Sequence, residues 1–211
     1  VETQPAASEP AAQTQEKMSW RQFFLDLAET VLLAVILFVG INLVSARVRV
    51  EGYSMRPTLD DGQYMLVSRL AYLRGGYQRG DVIIFRPPMH PEESLWRRLL
   101  GFPGLHDHYE DYVKRIIGLP GDTVKIENGQ VFVNGQKLDE PYISEPPRYF
   151  GEWTVPDGYL FVLGDNRNDS SDSHQWNFLP QENVIGKALL VYWPLTDIMV
   201  LKSNQAAHAA P

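Results

Sequence analysis

Hydrophobic positions fall into two regimes along the chain. From Thr30 to Ala46 the run TVLLAVILFVGINLVSA carries no charge, so apolar side chains cover every face of a helix rather than one stripe. From Arg47 onward the pattern changes to short runs rich in Val, Ile, Tyr and Phe: VRVEGYSM, YMLVSRL, DVIIFRPP, DTVKIENGQVFVNGQ, GYLFVLGD and KALLVYWPL. Their period is mostly two, and Gly, Pro, Asn and Asp separate them, which predicts short strands joined by tight turns. Asn128-Gly129 and Asn134-Gly135 each sit between strand-like runs and predict two-residue hairpins. The expectation is an all-β domain of short antiparallel sheets behind one N-terminal apolar helix.

Four segments follow from this pattern. Residues 1–19 are rich in Ala, Gln, Glu, Pro and Thr and cannot bury enough apolar area to offset their ordering entropy, so a disordered tail is expected there. Residues 20–46 are expected to form a transmembrane helix with its flank. The uncharged stretch is close to the lower limit of about 17 residues for a span, and Trp20, Phe23 and Phe24 suit an interfacial anchor. A buried core helix and a cleavable leader, with Val44 and Ala46 at the small-residue positions before a cut, are the competing readings. Basic residues lie on both sides (Lys17 and Arg21 before, Arg47, Arg49 and Arg56 after), so the charge rule leaves the orientation open. Residues 47–202 form the β-rich domain, residues 203–211 a C-terminal tail. An insertion at about 87–111 breaks the strand pattern with helical features in EESLWRRLLGFPGL and a polar loop in HDHYED.

Composition narrows the chemistry. A chain of 211 residues is long enough for a substantial core. The absence of Cys excludes disulfide scaffolds, thiolate zinc sites and Cys nucleophiles. Nineteen Lys and Arg against 26 Asp and Glu, a net charge of −7, argue against nucleic acid as a partner, because phosphate attraction needs a cationic surplus.

Two side chains could carry catalysis. Ser54 lies just after the apolar span, in Gly52-Tyr53-Ser54-Met55-Arg56-Pro57-Thr58-Leu59. A serine hydroxyl needs a neighbouring base to attack a carbonyl. Lys114 lies in Tyr112-Val113-Lys114-Arg115-Ile116-Ile117, where strand alternation puts Tyr112, Lys114 and Ile116 on one face and Val113, Arg115 and Ile117 on the other. An unshifted lysine is neutral in only about one copy in 2,500 at pH 7. Burial among apolar groups lowers its pKa and frees the amine to act as a base. The plain alternative is a strand lysine whose stem packs while its head reaches water.

Four blocks in order extend this reading. They are Ser54-Met55-x-Pro57-Thr58-Leu59; Arg79-Gly80-Asp81-Val82-Ile83-Ile84-Phe85; Lys114-Arg115-x-x-Gly118-x-Pro120-Gly121-Asp122 with Asn134-Gly135 downstream; and Gly164-Asp165-Asn166-Arg167-Asn168-Asp169-Ser170-Ser171-Asp172-Ser173. Behind an apolar span, this series resembles type I signal peptidases, the membrane-bound Ser/Lys endopeptidases, from about Trp20 to Lys202. The resemblance implies the β fold that these enzymes share with self-cleaving repressors. It implies Ser54 as nucleophile, Lys114 as general base, Ser170 as the hydroxyl that orients the base and Asp172 as a supporting carboxylate. It implies a structural ion pair of Arg115 and Asp165, the Ser54 backbone N–H as an oxyanion donor, and substrate contacts from Met55 and Tyr53. No cofactor or metal is implied. The implied partners are preprotein signal peptides, with small side chains at −1 and −3 of the cut, and the lipid bilayer. The implied protein is a single-pass monomer of the cell membrane with its catalytic domain on the trans side.

The chain departs from the family pattern at three places. Gly52 stands where some members have a serine that helps to hold the oxyanion. His174 stands where many have arginine, which leaves the partner of Asp172 open. Trp176-Asn177 replaces Trp-Gly. Ser54, His174 and Asp172 also permit a hydrolase-triad reading. A calcium loop over Asp165–Asp172 fails, because Arg167 and Ser170 replace a needed ligand and Gly, and Trp176 holds the terminal Glu position. His106-x-His108 beside Asp107, Glu110 and Asp111 reads as a solvated loop more readily than as a metal site. Asn168-Asp169-Ser170 matches a glycosylation acceptor by coincidence, since a glycan would block the site. Two other functions compete. A self-cleaving repressor would need an N-terminal DNA-binding domain where this chain has an apolar span, and a non-catalytic membrane-tethered module would keep the fold without the reaction.

Overall fold

The computed structural model describes residues 20–73, 76–88 and 111–203. The tail expected at 1–19, residues 89–110 of the insertion expected at about 87–111, with its His106-x-His108 pair, and residues 204–211 lie outside the described residues. The chain divides into two compact units, 1–39 and 40–211.

Helix α1 (Trp20–Val44) is 25 residues long. At about 1.5 Å per residue it extends roughly 37 Å, enough to cross a hydrocarbon core of about 30 Å. No residue of α1 is buried. Near its start the rings of Trp20, Phe23 and Phe24 gather with centroids 5.7–6.3 Å apart. The helix ends two residues earlier than the span expected at 20–46. Ser45 and Ala46 already pair with Ser68 and Val67 across an antiparallel ladder, and ladder pairing has replaced the helical pattern of hydrogen bonds there.

Two antiparallel sheets make up the second unit. The larger contains β1 (Ser45–Arg49), β2 (Tyr64–Ser68), β3 (Val82–Phe85), β4 (Tyr112–Gly118), β9 (Tyr159–Leu163), β10 (Leu179–Pro180), β11 (Val184–Trp193) and β12 (Met199–Val200). Its order is β1-β2-β11-β3-β4-β9-β10, with β12 also paired to β11. The smaller contains β5 (Thr123–Glu127), β6 (Gln130–Val133), β7 (Gln136–Lys137) and β8 (Gly151–Thr154), in the order β7-β6-β5-β8. Strand β11 slips register twice against β2 and once against β3. Such bulges bend a strand and let one sheet curl. Both expected hairpin turns form, with positive φ at Asn128 and Gly129 and at Asn134 and Gly135, as the hairpin turn with two left-handed residues requires.

Strand β4 positions the site. It lies between β3 and β9, where Lys114 opposes Ile83 and Arg115 opposes Val82 on one side and Leu163 on the other. Alternation predicted two faces. The structure covers both with apolar clusters, Val113 packing with Val82, Ile84, Met55 and Leu59, and Ile116 with Ile83, Phe85 and Val162. Lys114 and Arg115 are therefore only 3% and 2% exposed. A charge withdrawn from water this far must be paired or neutralised, and the two neighbours take different routes. Asp81 of the Arg79-Gly80-Asp81 block is also buried. It meets Lys187 at 2.7 Å, Tyr72 at 3.0 Å and the Ser203 hydroxyl, and so holds the C-terminal segment to the sheet.

Candidate active site

Ser54 sits in the turn that follows β1. Gly52 opens the turn at φ +87° and donates its N–H to Asp61 Oδ1 at 2.9 Å. That left-handed conformation suits glycine, and the residue offers no side-chain donor. The carbonyl of Ser54 accepts from the N–H of Asn166 at 3.0 Å, and the Asn166 side-chain amide donates to the carbonyl of Tyr53 at 3.2 Å. Thr58 Oγ1 donates to Asp165 Oδ2 at 2.5 Å. The nucleophile turn is thus fastened at both ends to the loop leaving β9.

That loop approaches the turn closely. A Cβ on Gly164 would fall 2.5 Å from the Ser54 carbonyl oxygen and closer still to Ser170 Oγ. Only glycine allows the two segments to meet here. Asp172 starts helix α2 (Ser173–Trp176) and caps it by accepting from the His174 N–H. Its Oδ2 accepts from the Gly164 N–H at 2.9 Å.

Lys114 reaches this junction from β4. Its Nζ donates to Ser54 Oγ at 2.7 Å and to the carbonyl of Val113 at 3.0 Å, with the Tyr112 ring 5.3 Å away. The head does not snorkel to water. Burial lowers the lysine pKa to about 8, and the negative charges of Asp172 and Asp165 pull against that shift. At pH 7 a pKa of about 8 leaves roughly one amine in ten neutral, against about one in 2,500 for an ordinary lysine.

Arg115 takes the other route and is paired with a carboxylate. Nε donates to Asp165 Oδ1 at 2.8 Å and Nη2 to Oδ2 at 2.6 Å, and Nη1 donates to the Gly80 carbonyl at 2.9 Å. Its guanidinium lies 4.0 Å from the centroid of the Tyr142 ring. Behind it, Arg167 donates to both oxygens of Glu140 at 2.9 and 2.6 Å and through Nε to the Gly164 carbonyl at 3.1 Å.

The remaining expected residues are distributed unevenly. Ser170 is buried close to Gly164, but its Oγ has no hydrogen-bond partner, so the expected bond to Lys114 is not formed in this structure. Met55 is 2% exposed and packs in the core with Leu59 and Met65. Tyr53 is half exposed, with the Arg56 guanidinium 4.3 Å over its ring. The partner of Asp172 is His174, whose Nδ1 lies 2.6 Å from Oδ1. The partner of the Ser54 hydroxyl is Lys114, whose Nζ donates to it, and His174 bonds to Asp172. Sequence reasoning missed Thr58, Asn166, Tyr142, Glu140 and Arg167 as parts of the site's frame. Thr58, Asn166 and Arg167 lay inside the quoted blocks, but only the fold reveals their partners.

The family model for signal peptidase, peptidase S26, matches residues 24–193. Among similar proteins, a probable signal peptidase I-2 from Synechocystis sp. is 38% identical over 188 residues, covering 88% of this chain and 81% of that protein. A signal peptidase I from Leptolyngbya laminosa is 40% identical over 197 residues, covering 92% and 88%. A solved structure of a signal peptidase I from Enterococcus faecalis is 30% identical with a TM-score of 0.42, covering 53% of this chain and 95% of that one. With four-fifths of its length matched in this way, and with a lysine amine on a serine hydroxyl at its centre, the chain belongs to the signal peptidase family, peptidase S26.

Proposed function

We propose that this membrane-anchored serine endopeptidase removes signal peptides from exported preproteins with Ser54 as nucleophile and Lys114 as general base. Family membership supports the activity and substrate class, and the 2.7 Å contact from Nζ to Oγ supports the residues. The neutral amine takes the Ser54 proton as Oγ bonds to the scissile carbonyl carbon. The Ser54 backbone N–H donates to the oxygen that gains charge. The C–N bond then breaks, the ammonium returns its proton to the leaving amine, and an ester to Ser54 remains. Water attacks that ester, giving a proton to Lys114, and as the C–O bond to Ser54 breaks the ammonium passes that proton to Oγ, so that the acid product leaves and the serine and neutral amine are restored.

Helix α1 anchors the enzyme, and a signal peptide is itself held at the membrane, so the two meet at high effective concentration. In this reading cleavage follows export of the preprotein's mature part, and the β domain works on the trans side. A tethered module without catalysis would have no use for a dry amine against a serine.

The test uses the full chain in detergent or vesicles with a preprotein carrying Ala at −1 and −3. N-terminal sequencing of the product should read the mature start, and Ser54→Ala should give no product above background. Cleavage by Ser54→Ala at the wild-type rate would overturn the assignment.

A further inference from the structure

Asp172 is fully buried, and both its oxygens are used. Oδ2 holds the Gly164 N–H at 2.9 Å, and Oδ1 accepts from the His174 N–H at 3.2 Å and lies 2.6 Å from His174 Nδ1. The imidazole is largely covered. It stacks on the Tyr149 ring with centroids 3.9 Å apart and planes 9° from parallel. Nothing in the dyad reaction uses this histidine, yet a short chain of contacts runs from it through Asp172 and Gly164 to the Ser54 carbonyl.

The charges around the dyad are balanced unequally. Asp165 is closed by Arg115 at 2.6 Å, and Glu140 by Arg167 at 2.6 Å. Asp172 pairs with a histidine, His174 Nδ1 lying 2.6 Å from its Oδ1. His174 faces Asp172 from its own helix start and the Tyr149 ring from the segment before β8, and the charges of Arg167 and Glu140 act on that same tyrosine. Among the described residues, His174 is the side chain in ion-pair range of Asp172. A bare carboxylate holds the proton on a nearby ammonium, and a carboxylate paired with a cation holds it less.

We propose that His174 is a positioning residue for the cleavage reaction, and that its charge sets, through Asp172, how readily Lys114 gives up its proton. Imidazole changes charge between about pH 5 and 8. A cation at this position offsets the field of Asp172 on Lys114, so the amine is released more easily than beside a neutral partner.

This inference rests on the Ser54–Lys114 reading, and its test keeps the two apart. The kcat/KM of the full chain toward one signal-peptide substrate is measured against pH for wild type, His174→Arg and His174→Gln, with Ser54→Ala as control. The neutral variant should place its acid limb at least half a pH unit above the permanently cationic one, about a threefold rate difference at one pH below the limb, with wild type between them or at one edge. Limbs of His174→Gln and His174→Arg that coincide, or an arginine limb above the glutamine one, would overturn the proposal even if both variants lose rate equally. If either variant fails to fold, His174→Asn and His174→Lys supply the same neutral and cationic comparison. A Ser54→Ala control that still cleaves would sink the dyad reading instead.

Discussion

The guanidinium of Arg115 grips the carboxylate of Asp165 through two hydrogen bonds, 2.8 Å from Nε to Oδ1 and 2.6 Å from Nη2 to Oδ2, with both groups out of reach of water. Asp165 also accepts from Thr58, so the ion pair ties β4 to the nucleophile turn. Breaking a buried pair by removing one charge costs about 3–5 kcal/mol, because the other is left uncompensated. Asp165→Asn should lower stability by an amount in that range, read as a shift in the urea midpoint, and activity should fall with it. An unchanged midpoint would mean that the pair does not hold this junction.

The pH dependence follows from Lys114. Burial lowers its pKa to about 8, with Asp172 and then Asp165 opposing the shift. The neutral amine is the active form, so kcat/KM should rise about tenfold per pH unit below that value and level off above it. Stability has a linked sign. Below pH 8 the amine is protonated in both states, and the folded state carries the whole penalty of a buried charge. Between pH 8 and about 10.5 the unfolded chain holds more protons, so stability rises through this group as the penalty is lost. A kcat/KM profile flat from pH 6 to 9 would contradict the lowered amine.

Gly164 tests the close approach of the two segments. An added methyl would meet the Ser54 carbonyl oxygen at 2.5 Å and collide with Ser170 Oγ. Backbone must then shift, at about 1–3 kcal/mol for overpacking. Gly164→Ala should reduce kcat/KM at least tenfold and lower the melting temperature. A variant with wild-type kinetics would show that the turn tolerates displacement.

Ser170 separates activity from stability. Its hydroxyl is buried without a partner, and an unsatisfied buried polar group costs about 1–3 kcal/mol. Ser170→Ala should therefore keep or raise the melting temperature. It should also cut kcat/KM by about 10–100-fold without abolishing cleavage, if the hydroxyl orients the amine once substrate is bound. A loss of stability with unchanged kinetics would reverse that assignment.

Much of the fold is legible in the sequence, because turns and alternation are local. The Asn128-Gly129 and Asn134-Gly135 turns and the runs that became β2, β3, β9 and β11 stand where their patterns put them. Strand β8 (Gly151–Thr154) was not foreseen, because its pairing with β5 is set by tertiary contact and not by a marked run. The site divides in the same way. Ser54 and Lys114 were found through the order of the blocks, but alternation alone put apolar neighbours on both faces of β4 without telling whether either face met water. That Arg115 is paired while the Lys114 amine is lowered by burial depends on Asp165 lying 50 positions away from Arg115. The pairing of Asp172 with His174 is only two positions long, yet it was left open, since the position differs from the family pattern.

The most direct test of the dyad is single-turnover cleavage of a preprotein by Lys114→Met, which keeps the length of the side chain and removes its base. The account predicts no cleavage above background at any pH from 6 to 10, with a melting temperature at pH 7 no lower than wild type, because a buried amine that resists charging has been taken away. Cleavage at the wild-type rate by a folded Lys114→Met would contradict it.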